Sequence, residues 1–183
     1  MNDGQTRLTG TSYAVLSLLE LSGPATPYDL KQALERSIEN FWTVPHTTFY
    51  AEPERLTKAG LLSERREAHG RRRKVYSLTD AGHAALAQWR ESPIIAPPQL
   101  RDEGVLKLFA GGDPLHYLTS RREFYRAKLD ELEGYLDSCP DEPRFSGVRA
   151  SLIAGVTYNR LLLDATEGYL AQRLRSQAAS AGS

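Results

Sequence analysis

The chain is poor in cysteine, has no excess of either charge and contains no long apolar run. It has 183 residues and one cysteine, Cys139, so no disulfide forms within the chain and a reducing compartment is expected. Because its 23 basic and 23 acidic residues cancel, net charge gives no argument for a nucleic-acid partner. No stretch approaches the ~18 apolar residues of a membrane helix, and residues 1–10 lack a signal-peptide core. We expect a cytoplasmic protein without a membrane partner.

Residue sets typical of enzymes and metal proteins are also missing from the sequence. The four histidines lack metal-ligand spacing, and neither a glycine-rich phosphate loop nor a serine-nucleophile motif occurs. Neighbouring carboxylates such as Asp102 and Glu103 do not converge when they lie side by side on a helix. We therefore expect a protein that is not an enzyme and that uses no metal and no cofactor.

The first half of the chain has the pattern of a small helical domain with a hairpin. Apolar periodicity predicts three helices, of which the second is capped by Thr26 and the third ends at Gly60. A hairpin is predicted around residues 65–74, and Thr79 caps a fourth helix. This order is typical of a winged helix-turn-helix, although a small α+β domain without a ligand has the same elements.

The hairpin carries the main local concentration of positive charge. Residues 65–74 read RREAHGRRRK, with six basic side chains and a single acid, Glu67. A turn needs only one or two Gly or Asn residues, and closely spaced like charges repel, so such a cluster usually meets phosphates. A solvated turn is the alternative interpretation. The cluster favours a winged helix-turn-helix that binds double-stranded DNA.

The third helix offers polar side chains to a major groove and apolar ones to a core. Phe49 and Leu56 lie on one stripe and are expected to hold the helix in place. Thr47 and Thr48 have helix capping as an alternative role, and Tyr50 has packing under the wing. Glu52 and Glu54 would repel phosphates, so we expect their face to point away from the DNA backbone. The candidate DNA-binding residues are His46, Thr47, Thr48, Tyr50, Arg55, Lys58, Arg71, Arg72, Arg73 and Lys74.

A proline-rich segment, 92–99, precedes a second half that is predicted to be all helical. A short helix is expected over 101–110, followed by long helices from Pro114 and over 145–175 with coiled-coil-like apolar seams. These seams exceed what two helices bury together, so a homodimer is expected, with packing on the N-terminal domain as the alternative. Asn159 would either fix the register between chains or bond within its own chain. The candidate dimerisation residues are Leu118, Tyr125, Leu129, Leu152, Val156, Leu163 and Leu170.

The expected fold is mainly α with a small β-hairpin wing. It comprises a winged helix-turn-helix domain over 8–91, a helical dimerisation and effector domain over 100–176, and a disordered tail over 177–183. Aromatic residues near the domain junction are candidates to line an effector pocket, although core packing is the commoner role for each one. These residues are Trp42, Trp89, Tyr117, Phe124, Tyr125 and Tyr158.

Several motifs resemble the PadR family of bacterial transcriptional regulators over nearly the whole chain. The resemblance is carried by TPYDL (26–30), FWTV (41–44), TTFYAEPERLTKAGLL (47–62), GRRRKVYSLTDAGHAAL (70–86), RDEGVLKLFAGG (101–112) and GVTYNRLLL (155–163). Ala51 and Pro53 depart from it, since many members have Pro and Leu there. The resemblance implies a dimer that represses transcription and is released by a small aromatic or drug-like effector, with phenolic acids in the archetype.

The expected function is therefore DNA-binding transcriptional regulation. We expect a homodimeric repressor that binds an inverted-repeat operator and is released by a small-molecule effector. A winged-helix protein-interaction adaptor without DNA binding is the alternative, and a small enzyme is disfavoured by the missing catalytic residues.

Overall fold

A computed structural model of the protein describes residues 7–42, 44, 46–67, 72–93 and 102–181. The chain divides into two compact units, Met1–Ile95 and Ala96–Ser183. The predicted fold class, mainly α with a two-stranded antiparallel hairpin, is confirmed. In chain order the elements are α1 (Gly10–Ser22), α2 (Pro27–Arg36), a 3₁₀ turn (Ile38–Asn40), α3 (His46–Lys58), β1 (Leu62–Arg66), β2 (Lys74–Leu78), α4 (Asp80–Glu91), α5 (Glu103–Phe109), α6 (Pro114–Ser138), a second 3₁₀ turn (Pro143–Phe145) and α7 (Ser146–Ala181).

Side-chain caps determine where the first two helices begin. At α2 the Asp29 N–H donates to Thr26 Oγ1 at 3.3 Å, and the Thr26 N–H donates to Asp29 Oδ2 at 3.0 Å. Pro27 occupies the first helical position, where its missing N–H costs no hydrogen bond. A reciprocal box between Thr9 and Ser12 begins α1 in the same way. The cap predicted at Thr26 is thus confirmed.

Gly60 ends α3 and turns the chain into the hairpin. Its φ of +75° lies in the left-handed region, which is accessible to glycine without strain. The Leu61 N–H then donates to the Leu56 carbonyl at 3.0 Å, which satisfies one of the last carbonyls of α3. The helix end expected at Gly60 therefore has the geometry of a glycine C-terminal stop.

The hairpin is attached to the helical part of its unit through its second strand. β1 pairs with β2 in antiparallel register, with Leu62 opposite Leu78. On the outer side of β2, Tyr76 and Ala25 exchange two backbone hydrogen bonds of 3.1 and 2.9 Å. Because Ala25 joins α1 to α2, the strand is held beside the helices and the hairpin extends from them as a wing.

A single apolar core lies between the helices and the wing of this unit. Phe49 and Leu56 of α3 are only 1% and 0% exposed, as the stripe in the sequence predicts. Burying a side chain of this size completely is worth about 1.5–3 kcal/mol. Other members of the core are Val15, Leu16, Leu30, Leu34, Val44, Tyr76 and Leu86.

In the second unit α6 and α7 form an antiparallel pair. Arg126 contacts Glu167 at 2.5 Å and Arg160 contacts Glu133, so residue numbers rise along one helix as they fall along the other. The helices bury an apolar seam with two polar members, made of Leu129, Leu132, Leu152, Asn159, Leu163, Thr166 and Leu170.

This pairing buries part of the predicted dimer surface within a single chain. Because they lie in the seam of one chain, four of the predicted residues are only 6–9% exposed, namely Leu129, Leu152, Leu163 and Leu170. The others are half-buried, namely Leu118, Tyr125 and Val156. Asn159 Nδ2 donates to the Gly155 carbonyl of its own helix at 2.8 Å. Periodicity shows that a helix needs a partner, but it does not show which chain supplies the partner.

The last helix continues beyond the point where the sequence predicts a disordered tail. α7 runs through Ala181, so the expectation of disorder over 177–183 is wrong for residues up to 181. Residues 182–183 lie outside the described residues. Alanine and glutamine have good intrinsic helix propensity, so this segment needs no apolar face to extend an existing helix.

Candidate nucleic-acid interface

Helix α3 presents a polar face to solvent on the side opposite its core stripe. Thr47, Thr48 and Lys58 are exposed on it. Tyr50 is 45% exposed, which does not fit the alternative in which it packs under the wing. His46 begins the helix. The predicted candidates on the exposed face therefore form one surface along the helix.

Arg55, in contrast, is bound to groups beneath that surface. Its Nη2 and Nε contact the two carboxylate oxygens of Glu52 at 2.6 and 2.9 Å. Nη2 also donates to Ser12 Oγ at 2.9 Å and Nη1 to the Arg7 carbonyl at 3.3 Å. Glu52 is 5% exposed, three residues before Arg55 on the same side of α3. Arg55 thus ties α3 to α1 through these contacts, and its contact with DNA stays a prediction.

The charges of this pair stabilise each other. Burial raises the pKa of the Glu52 carboxyl, but hydrogen bonds from Arg55 and Ser12 more than offset this and leave its pKa below the ordinary 4.5. The hydrogen bond to Glu52 in turn raises the pKa of Arg55. Both groups therefore stay ionised at neutral pH.

The wing is less cationic than its sequence suggests because acidic residues surround it. Lys74 Nζ lies 2.5 Å from Glu54 Oε1 of α3 and 3.2 Å from Glu64 Oε2 of β1. Arg73 Nη2 lies 3.1 Å from Glu67 Oε1. These contacts lower the pKa of Glu54 and Glu67 and raise the pKa of Lys74 and Arg73. Glu54 is exposed on α3 beside the candidate residues, so its carboxylate belongs to the same face of the helix.

Three further cations of the wing are exposed to solvent. Arg72 is exposed, and within the described part of the chain it has no acidic partner. Its φ is +49°, in the left-handed region that non-glycine residues rarely adopt. Arg65 and Arg66 of β1 are also exposed, and the sequence-based site omits them although they belong to the same basic run. Arg71 lies outside the described residues.

Of the two predicted effector residues of the first unit, Trp89 lines an open cleft. Trp89 stacks on Tyr13 with ring centroids 4.4 Å apart and an interplanar angle of 7°. Both rings line a cleft of about 730 Å³, together with Arg7 and Lys58. Trp42 is 51% exposed. Tyr13 belongs to this cleft but was missed, because its apolar periodicity indicates a core residue.

The remaining effector candidates belong to the second unit. The Tyr117 hydroxyl donates to Asp102 Oδ2 at 3.3 Å. The Arg121 guanidinium, which is ion-paired with Asp102, lies 5.5 Å from the ring centroids of both Tyr117 and Phe124. Tyr158 is 51% exposed on α7. Tyr117 and Phe124 thus flank a common cation, which sequence periodicity did not reveal.

Among the residues that the structure describes, no group of three or more His, Cys, Asp or Glu side chains could hold a metal ion. No helix of the described ranges has both the length and the apolar character needed to cross a membrane.

Comparisons with known proteins agree with this geometry. The Transcriptional regulator PadR-like family matches residues 15–88. The chain is 30% identical over 131 residues to the Negative transcriptional regulator PadR of Bacillus subtilis (strain 168), covering 67% of this chain and 70% of that protein. The crystal structure of Bacillus subtilis PadR in complex with operator DNA has a TM-score of 0.76 and 24% identity, covering 91% of this chain and 99% of that one. The same protein's complex with p-coumaric acid has a TM-score of 0.69 and 24% identity, covering 91% and 98%. The chain therefore belongs to the PadR-like family of transcriptional regulators.

Proposed function

We propose that the protein is a cytoplasmic repressor that binds an inverted-repeat operator in double-stranded DNA as a homodimer and is released by a small aromatic effector. The observation that carries the proposal is the exposed face of α3, with Thr47, Thr48, Tyr50 and Lys58, in the same unit as the cationic hairpin. An α-helix fits the major groove of B-DNA, about 12 Å wide, and polar side chains on its outer face reach base edges.

The exposed cations of the wing supply sequence-independent affinity in this proposal. Arg65, Arg66 and Arg72 are exposed and would contact phosphates or the adjacent minor groove. Each phosphate contact releases counterions, so the proposal predicts binding that weakens steeply as salt rises. The side chains of α3 would supply the sequence preference.

The homodimer is supported by apolar surface that α7 exposes after it has paired with α6. Leu161 is 66% exposed, Leu174 63%, Ile153 51% and Tyr158 51%. These side chains leave α7 with exposed apolar area beyond its seam with α6, and such area usually marks an interaction surface. A two-fold dimer would present two α3 helices to half-sites about one DNA turn, ~34 Å, apart, which is why an inverted repeat is proposed.

Repression and release are supported by the relatives. The 30% identical Bacillus subtilis relative is a negative regulator, and a solved structure of that protein contains p-coumaric acid. For this chain we propose a small aromatic acid, with Trp42 and Trp89 as the candidate contacts of the first unit and Tyr117, Phe124 and Tyr158 as those of the second. Arg7 and Lys58 beside Trp89, and Arg121 beside Phe124, are cations suited to a carboxylate.

A gel shift with the DNA upstream of the gene tests the proposal. Wild type should form a discrete complex that Lys58→Ala weakens, whereas Lys107→Ala, which removes a 72% exposed cation of α5, should bind as wild type does. Sedimentation of the complex should give two chains per duplex. Failure to bind this DNA and random duplexes at low salt would reject DNA regulation and favour the protein-interaction adaptor.

Release is tested on the same complex with p-coumaric acid as the probe. The acid should dissociate the complex, and calorimetry should detect its binding to the free protein. Trp89→Ala should weaken that binding when the acid lies in the cleft of the first unit, whereas Phe124→Ala should weaken it when the acid lies beside Arg121 in the second unit. A complex that persists at saturating acid would reject this effector class.

A further inference from the structure

Glu54 occupies the middle of the α3 face that is proposed to enter the groove. Thr47, Ala51, Glu54 and Lys58 are separated by four, three and four residues, so they follow one line along the helix. All four are exposed. A carboxylate at the centre of a surface that approaches phosphates is electrostatically unfavourable unless it has a specific partner.

The wing supplies part of the compensation. Lys74 Nζ lies 2.5 Å from Glu54 Oε1, and the Glu54 side chain is still 53% exposed. The Lys74 ammonium holds the pKa of Glu54 below its ordinary value of 4.5, so the carboxylate is ionised at neutral pH. The contact links the reading helix to β2 and restricts the carboxylate without covering it.

An ionised carboxylate has a narrow choice of partner in the major groove because it only accepts hydrogen bonds. Cytosine presents its N4 amino donor there, and a glutamate oxygen can accept from it. Guanine presents only O6 and N7 acceptors, and thymine presents O4 and a methyl group, so neither offers a donor. Adenine offers a donor beside an acceptor, a pattern that an amide matches better than a carboxylate.

We propose that Glu54 is a specificity-determining residue that accepts a hydrogen bond from a cytosine N4 amino group in each operator half-site, with Lys74 as its positioning residue. The inference rests on the proposed function, namely that α3 enters the major groove. It adds to the candidates predicted from the sequence a side chain whose charge predicts only that it points away from the DNA backbone.

Selection from a library of random-sequence duplexes tests the proposal with three purified proteins. These are wild type, Glu54→Gln and the control Glu64→Gln, which removes the other carboxylate beside Lys74 but lies on β1. Wild type should enrich a symmetric motif with cytosine at one position of each half-site. Glu54→Gln should lower the preference for cytosine there by about tenfold and shift it towards adenine, because glutamine pairs with adenine N6 and N7. Glu64→Gln should keep the wild-type motif.

A second readout separates base recognition from a purely structural ion pair. If Glu54 only holds Lys74, Glu54→Gln should select the wild-type motif and bind every duplex more tightly. The slope of log affinity against log salt would then steepen by up to roughly 0.9, because Lys74 would gain a phosphate. That result overturns the inference and leaves DNA binding intact. If wild type enriches no duplex, both the proposed function and the inference are overturned.

Discussion

Two glutamates of α3, two positions apart, have opposite environments. Glu52 is 5% exposed and bound by Arg55, whereas the Glu54 side chain is 53% exposed and contacts Lys74 of the wing. The sequence predicts that both point away from the DNA backbone, because both carry negative charge. Their difference arises from helix geometry, since a step of two residues turns the side chain by about 200°.

Arg55→Ala should destabilise the protein by about 1–3 kcal/mol, because it leaves the buried Glu52 carboxylate without its main partner. Urea denaturation would measure the loss. Lys58→Ala is the matched control, because it removes an exposed cation from the same helix and should change stability by less than about 0.5 kcal/mol. If Arg55→Ala kept wild-type stability and reduced the salt dependence of DNA binding, Arg55 would be a DNA-contacting residue instead.

The Glu52 carboxylate should make stability depend on pH in the acid range. Its folded-state pKa lies below the ordinary 4.5, so its contribution is present above that value and is lost as pH falls through the folded-state pKa. Urea denaturation from pH 7 down to about pH 3 should show a falling free energy of unfolding. Glu52→Gln should lower stability at pH 7 and flatten this decline. An unchanged decline would exclude Glu52 as a source of the acid sensitivity.

Tyr50→Phe should weaken operator binding by about 0.5–1.5 kcal/mol, the usual net value of one hydrogen bond. The melting temperature should stay nearly constant, because the side chain is 45% exposed and its ring is retained. A titration and a thermal melt on the same preparation measure both quantities. Normal binding by the variant would show that the hydroxyl has no role at the DNA.

At the scale of elements, the wing combines a basic sequence with acidic neighbours. Glu67 faces Arg73 across the hairpin, while Glu54 and Glu64 face Lys74. These partners come from β1, α3 and the segment after β1. A basic run therefore states how many cations are present, whereas the packing of neighbouring elements determines how many are available for phosphates.

Arg72→Ala and Arg73→Ala should consequently differ in their effect on DNA binding. Arg72→Ala should reduce the slope of log affinity against log salt by roughly 0.9, the value for one phosphate contact. Arg73→Ala should reduce it less, because Glu67 already neutralises part of the Arg73 charge. Titrations at several salt concentrations decide the point. If both variants had the same slope as wild type, the wing would not contact the DNA.

At the scale of the whole molecule, the seam and the exposed surface of α7 have separate roles. Leu163 is 9% exposed within the α6–α7 seam, whereas Leu161, two residues earlier, is 66% exposed. The seam stabilises the unit, and the exposed surface is the part available to a second chain. Substitutions of the seam residues therefore test dimerisation poorly, because they damage the fold of the unit before they affect a dimer.

Leu161→Glu should give a folded monomer with weakened operator binding, because a charge would have to be buried in the proposed dimer interface. Leu163→Asp should instead lose helical structure, because it places an unpaired charge within the seam. Sedimentation measures the dimer and circular dichroism the helix content. If Leu161→Glu remained dimeric and bound DNA as wild type does, the dimer interface would lie elsewhere on the chain.

Membership of a family of transcriptional regulators confirms the expectation that the protein is not an enzyme. The sequence by itself determined the order of elements, the cap at Thr26, the stop at Gly60 and the core stripe of Phe49 and Leu56, because caps, glycine stops and helical periods depend on residues close together in the chain.

Only the tertiary structure decided which charges are free and which apolar seams are already paired. Ser12 and Arg55 meet from α1 and α3, Glu54 and Lys74 from α3 and β2, and the α6 and α7 seams face each other within one chain. These contacts join residues far apart in sequence, and the apolar periodicity of a helix does not identify the element that packs against it. The availability of a charge or an apolar side chain depends on what packs against it, so these assignments had to come from the folded chain.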